Sequence, residues 1–199
     1  MRYDNDTSGE RLTHFCEAVG ELQRRLAEQD IWVRGGISIG QVHVEEGTNR
    51  VLGSGLVRAY GLEMQHAKYA RIVLDTALVE YAGRKGNREF ISLLNHGSGL
   101  GGPTTVYDWL HRPDVGVRFE QDVPFFLDYL SPTVRSRNLR KRILHLVEAN
   151  LSKASIEHYP KYDWVRRYLM SLYEGPLRYG DSEALHKELE QARQRLAGA

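Results

Sequence analysis

Arg34 stands directly before Gly35-Gly36-Ile37-Ser38-Ile39-Gly40. A guanidinium at the end of such a strand can face either a phosphate or the carboxylate of a neighbouring helix. Gly35, Gly36 and Gly40 carry no side chain to keep a helix or a nucleotide off the strand, so they supply shape rather than reactivity. Arg135, Arg137, Arg140, Lys141 and Arg142 crowd five positive charges into eight residues, enough for a local contact with phosphate or nucleic acid. They spread around a helix whose other residues are polar or apolar, so the reading taken is a solvated face. Gly97-Ser98-Gly99-Leu100-Gly101-Gly102 is a flexible loop rather than a phosphate loop, since no Gly-Lys-Ser/Thr closes it and no strand clearly precedes it. The eight histidines form no His-Glu-x-x-His pair and have no cysteine company, so zinc is unsupported. Gly53-Ser54-Gly55 lacks the spacing of a nucleophile elbow. Cys16, the single cysteine, excludes an internal disulfide and sits in an apolar helical stripe as a small core residue.

The elements that must position these groups follow from periodicity. Thr7-Ser8-Gly9-Glu10 reads as a capping box opening a helix to about Glu28, with Leu12, Phe15, Cys16, Val19, Leu22 and Leu26 as its inward stripe. From Ile31 to Val44 the period becomes two, with a bulge near Gly40. Turn residues at 45–49 then allow Arg50-Val51-Leu52 to return as a hairpin partner. Leu56, Tyr60, Met64 and Ala67 share one side of the next helix, and Arg71 to Asp75 is a short apolar strand. Helices are expected around 76–82 and 88–95, and another opened by Pro103. Phe119–Asp122 and Phe125–Leu130 read as two strands, although the second could equally be one helical turn. Helices follow at 134–153, 160–173 and 182–197, punctuated by Pro160, Gly175 and Pro176.

The 199 residues, 41% hydrophobic and 27% charged, suffice for one main domain with a sizeable core. A net charge of +1 gives no global attraction to nucleic acid or an anionic membrane, so neither is expected as a partner. No run of eighteen apolar residues exists and the polar start lacks a signal peptide's apolar middle, which makes the cytoplasm the expected location.

The arginine before Gly-Gly-Ile-Ser-Ile-Gly, the hairpin, the helix bearing Ala59-Tyr60-Gly61-Leu62-Glu63 and the strand Tyr69-Ala70-Arg71-Ile72-Val73-Leu74-Asp75 together resemble class III nucleotide cyclases of bacteria over about residues 8 to 75. Phe119 to Leu130 and Lys161-Tyr162-Asp163-Trp164 make the chain most similar to the compact branch that includes the pyrimidine cyclases of Pycsar antiphage systems. The resemblance implies an α+β fold: a ferredoxin-like cyclase palm, a mixed sheet backed by helices, over residues 1–131, with a helical extension packed on it at 132–199. It implies a homodimer paired head to tail around a shared site, and a nucleoside triphosphate, UTP or CTP, converted to a 3′,5′-cyclic monophosphate. Magnesium or manganese would be the cofactor if the chain is active, because two divalent ions stabilise the charge on attacking and leaving oxygens.

That family holds its metals with two aspartates on strands that would here have to lie before residue 8, so the palm is expected to be incomplete at its N-terminus. Asp4 and Asp6 are the nearby carboxylates, but Asp4 lies five residues before Gly9, too few for a returning strand and a helix entry. No metal ligand is assigned. Strands missing on that side would leave a sheet edge unpaired and the Leu12–Leu26 stripe uncovered, which predicts association. The family's catalytic asparagine and arginine align with Val57 and Gly61, which cannot do that work. Arg58, one residue past the asparagine position, is the catalytic candidate through its guanidinium. Arg34, Gly36 and Tyr60 are the nucleotide-binding candidates, although the spacing of Tyr60 also suits the core. Lys161 and Arg71 are basic residues that an ion pair explains as well. The alternative function is a catalytically silent cyclase-homology module for dimerisation or nucleotide sensing.

Overall fold

The structure is a computed structural model that describes residues 10–45, 47–48, 50–84, 89–90, 93–95, 125–178 and 182–199. The expected capping residue Thr7, the glycine-rich loop 97–102, the helix opened by Pro103 and the strand at 119–122 lie outside the described residues, as do Asp4 and Asp6.

Helix α1 (Glu10–Glu28) opens on an acidic residue that suits its positive end. It stops where Asp30 turns left-handed at φ 63° while Asp30 and Ile31 donate to the carbonyls of Ala27 and Leu26. Its inner line is not the one that periodicity alone picks out. Leu12 and Cys16 are buried, but so are Thr13, Gln23 and Ala27, while Phe15 and Leu22 are exposed. Gln23 explains the rotation: its amide donates to the carbonyls of Val33 and Ala70, tying the helix to the entries of two strands.

Those strands are β1 (Gly35–Ile37) and β4 (Ile72–Leu74), paired in parallel with Gly36 opposite Val73. Between them run the antiparallel hairpin of β2 (His43–Glu45) and β3 (Arg50–Leu52), and helix α2 (Ser54–Gln65). The strand expected from Ile31 to Val44 is thus two short strands separated by a turn at 38–42. Helix α3 (Thr76–Arg84) follows, then β5 (Leu94–Asn95) and β6 (Phe126–Leu127). The sheet order is β1-β4-β6-β5, with β6 antiparallel to both neighbours. Residues 94–95, expected to be helical, therefore belong to a strand. Phe126–Leu127 settles the alternative at 125–130 in favour of a strand, although a short one.

Alternation along the strands divides the interior into two cores. Val73 and Phe126 point to a face covered by α4 (Pro132–Arg135), α5 (Arg137–Lys153), α6 (Tyr159–Arg178) and α7 (Glu183–Gly198). Phe126 meets Trp164 and Tyr168 edge-on at 5.4 and 5.2 Å between centroids. Leu74 and Leu127 point to the opposite face, against Leu12 and Cys16 of α1 and Leu78, Val79 and Ala82 of α3. The architecture is α+β, a small mixed sheet between helices. The helix expected at 134–153 is broken at Ser136, which is extended and caps α5 by accepting from the Leu139 N–H. No helix among the described residues is long and apolar enough to cross a membrane.

Candidate functional site

Helix α2 lies over β1, and Gly36 is the reason it can. A Cβ built there would come within 2.3 Å of the Ala59 carbonyl oxygen and 2.9 Å of the Leu62 Cβ. Of the two approaches open to these glycines, a helix or a nucleotide, Gly36 is occupied by the helix. At the other end of α2, Gly53 has φ 147° and a Cβ there would sit 2.1 Å from the Gln41 carbonyl oxygen. Gly40 and Gly55 touch in the same way, backbone against backbone. These contacts fasten the base of the hairpin to the start of α2, where Gln41 N–H donates to the Ser54 hydroxyl and the Gly55 N–H to the Gln41 carbonyl.

With its glycine-bearing side against β1, α2 presents Leu56, Val57, Arg58, Tyr60 and Met64 outward. Tyr60 is 63% exposed, which corrects the expectation from its spacing that it belongs to the core. Arg58 is exposed, and no ion pair joins it to another described residue. Arg34 pairs with Glu63 of α2 at 2.6 Å, the helix carboxylate rather than a phosphate being its partner here. The four candidates therefore separate by environment. Arg58 and Tyr60 are accessible, Arg34 is engaged at the same helix, and Gly36 lies beneath it.

The other basic candidates are structural. Arg71 is buried beside the stacked rings of Tyr69 and Trp164, 5.6 and 5.5 Å from their centroids, and donates to the His66 carbonyl at 2.7 Å. Lys161 lies 5.4 Å from the Tyr162 ring; partial burial lowers its pKa, with nearby Asp30 opposing the shift. In the basic run, Arg137 and Arg140 bind Glu188 of α7, Arg140 also donates to the Thr133 and Val134 carbonyls, and Arg142 donates to the Glu28 carbonyl. Three of those charges thus hold helices together, and not all of the run is the solvated face expected. Burial pushes the Cys16 thiol up to about 12, as suits a core cysteine.

One pair escaped the sequence reading. At the carboxyl ends of β1 and β4, the Asp75 carboxylate accepts from the Ser38 hydroxyl at 2.8 Å and from the Ala77 N–H at 3.0 Å. An aspartate between an apolar strand and Thr-Ala-Leu carried the signal for it, that of a helix N-cap. Among the described residues no group of three or more His, Cys, Asp or Glu side chains converges on one point. The two-ion centre that the resemblance implies needs carboxylates gathered around the ions, so the described residues do not fit it. The arrangement offers instead an exposed guanidinium, Arg58, and an exposed phenol, Tyr60, two residues apart on one helix and so on different sides of it. Searches against protein-family models, curated proteins and solved structures find no match to this chain.

Proposed function

We propose that the chain is a nucleotide cyclase-family protein that acts on a pyrimidine nucleoside triphosphate, UTP or CTP, and yields the 3′,5′-cyclic monophosphate as an antiphage second messenger. The finer fold reading goes with it: β1, hairpin, α2 and β4 as part of a ferredoxin-like palm. The observation that carries the proposal is Arg58, exposed on the helix that the resemblance marks as catalytic, with no ion pair to the described residues. Cyclisation forms a bond between the ribose 3′-oxygen and the α-phosphorus, releases the 3′-hydroxyl proton and expels pyrophosphate. A guanidinium bonded to the phosphate stabilises the charge that grows there. The described residues contribute phosphate binding through Arg58.

The test is incubation of the purified chain with manganese and each of the four ribonucleoside triphosphates, followed by mass spectrometry. Cyclic product from UTP or CTP, lost in Arg58→Ala, is expected. Neither cyclic product nor pyrophosphate from any of the four would remove the catalytic reading. A second reading is favoured by Val57, an exposed apolar side chain, and Gly61, with no side chain, at the two aligned catalytic positions. It is a silent cyclase-homology module that senses nucleotide, and triphosphate affinity identical with and without manganese is its signature.

A further inference from the structure

Between Ser131 and Val147 the chain carries Arg135, Arg137, Arg140, Lys141 and Arg142 and not one aspartate or glutamate. Helix α5 sorts these charges by face. Arg140, Ile143, Leu144, Val147 and Leu151 are buried, while Asn138, Lys141, Arg142 and His145, spaced at i, i+3, i+4 and i+7, form one exposed stripe. Arg137 stands exposed at the start of the same helix and shares a single carboxylate, Glu188, with buried Arg140. Lys141 makes no ion pair with a described residue. Arg142 donates to the Glu28 carbonyl, a neutral partner that leaves its charge uncancelled. The carboxylates at the borders of the stripe are already held, Glu148 by Arg195 and Glu28 by Arg24. A chain of net charge +1 thus concentrates positive charge on one side of one helix.

We propose that this stripe, with Arg137 at its end, docks on the phosphate backbone of a nucleic-acid duplex. A polyanion is selected by charge: Arg137, Lys141 and Arg142 project from one rigid helix with no carboxylate on the stripe between them. A duplex rather than a single strand is selected by what the stripe lacks, since it carries no aromatic side chain on which an unpaired base could stack. It carries no apolar side chain either, so nothing on it would enter a bilayer. Contact through charge alone engages the backbone and reads no sequence. Neutralising about three phosphates gives a log–log salt dependence of slope about −2.7, a loss of about fortyfold between 50 and 200 mM salt. Neither Arg58 nor α2 belongs to the stripe, so the inference is independent of the reading as a cyclase.

The test is fluorescence anisotropy of the full chain with a labelled DNA duplex of two helical turns and arbitrary sequence, over a series of sodium chloride concentrations. The unmodified chain should bind in the micromolar range at low salt and weaken along the slope above. Lys141→Glu should weaken binding about tenfold, and Asn138→Lys, which adds a charge to the stripe, should tighten it severalfold. Arg50→Glu, the same change of charge on the exposed hairpin, and Arg58→Ala should leave it unchanged. No binding at low salt overturns the proposal, and so does an affinity indifferent to Lys141→Glu or reduced as much by Arg58→Ala. A single strand bound more tightly than the duplex overturns it, as does capture by phosphatidylserine vesicles without binding of the duplex. Should Lys141→Glu misfold, Asn138→Lys decides: tighter binding supports the stripe, and unchanged affinity overturns it.

Discussion

Gly36, beneath α2, and Gly61, on α2 where a side chain would meet open space, respond oppositely to one added methyl. At Gly36 the methyl would strike the Ala59 carbonyl oxygen 2.3 Å away, whereas at Gly61 nothing lies within 4 Å. Gly36→Ala should lower stability by about 1–3 kcal/mol, the range for overpacking. Gly61→Ala should be neutral or stabilise by about 0.5–1 kcal/mol through helix propensity. Urea melts of both variants check the pair, and equal effects would refute the packing of α2 on β1. Cys16 gives a second residue-scale expectation. With burial raising its folded pKa to about 12 from an ordinary thiol value of 9.0, the thiol adds stability that is full below pH 9 and falls away as pH rises toward 12. It should resist a thiol reagent at pH 8 until the chain is unfolded. The place of Cys16 was legible because a small apolar residue in a helical stripe has few alternatives. That of Tyr60 was not, because a period identifies a stripe without saying which of two faces the fold covers.

Among the elements, α2 shows that ambiguity most fully: Leu56, Tyr60 and Met64 outweigh Gly55, Ala59 and Leu62 in hydrophobicity, yet the small residues win the interior by allowing close approach to β1. In α1, Gln23 overrides Leu22 for a similar reason, since two strand-entry carbonyls need a donor. The starts of α6 and α7 were legible from Pro160 and Ser182, but α6 runs on through Gly175 and Pro176 to Arg178, five residues past the end at 173 expected from that pair. Arg140 was not legible. It reads as one charge in a basic run, but it is buried and joins α4, α5 and α7 through the Thr133 and Val134 carbonyls and Glu188. Arg140→Ala should cost about 1–3 kcal/mol by taking the donor from the buried Thr133 and Val134 carbonyls, Glu188 keeping Arg137 as its partner, and Arg137→Ala, on the exposed neighbour, under about 1 kcal/mol. Chemical denaturation separates the two. In α6, burial raises the pKa of Tyr168, and of Tyr173 to about 12. Stability from Tyr173 is therefore full below pH 10, the ordinary value of a phenol, and is lost between pH 10 and 12. Tyrosinate absorbance from these side chains should appear together with loss of helix, not before it.

At the scale of the molecule, the mixed sheet with a helix-covered face on each side follows from alternation along β4 and β6 and from apolar helices flanking them. The short strands, three residues or fewer, are what the sequence could not bound. The hairpin, α2 and β4 were readable in order. Their surface was not, because whether a stripe faces a core or a partner depends on neighbours far away in the chain. Of the Leu12–Leu26 stripe expected to lie uncovered, Leu12 and Cys16 are buried and Phe15 and Leu22 exposed, and among the described residues β1 pairs with β4 alone.

The central claim is that the outer side of α2 receives a pyrimidine triphosphate through Arg58. Calorimetric titration of UTP and CTP into the unmodified chain and into Arg58→Ala addresses it most directly. The account predicts measurable binding of at least one pyrimidine triphosphate, weakened tenfold or more by the substitution. Equal affinity in the two proteins, or no binding heat from either nucleotide, would contradict it.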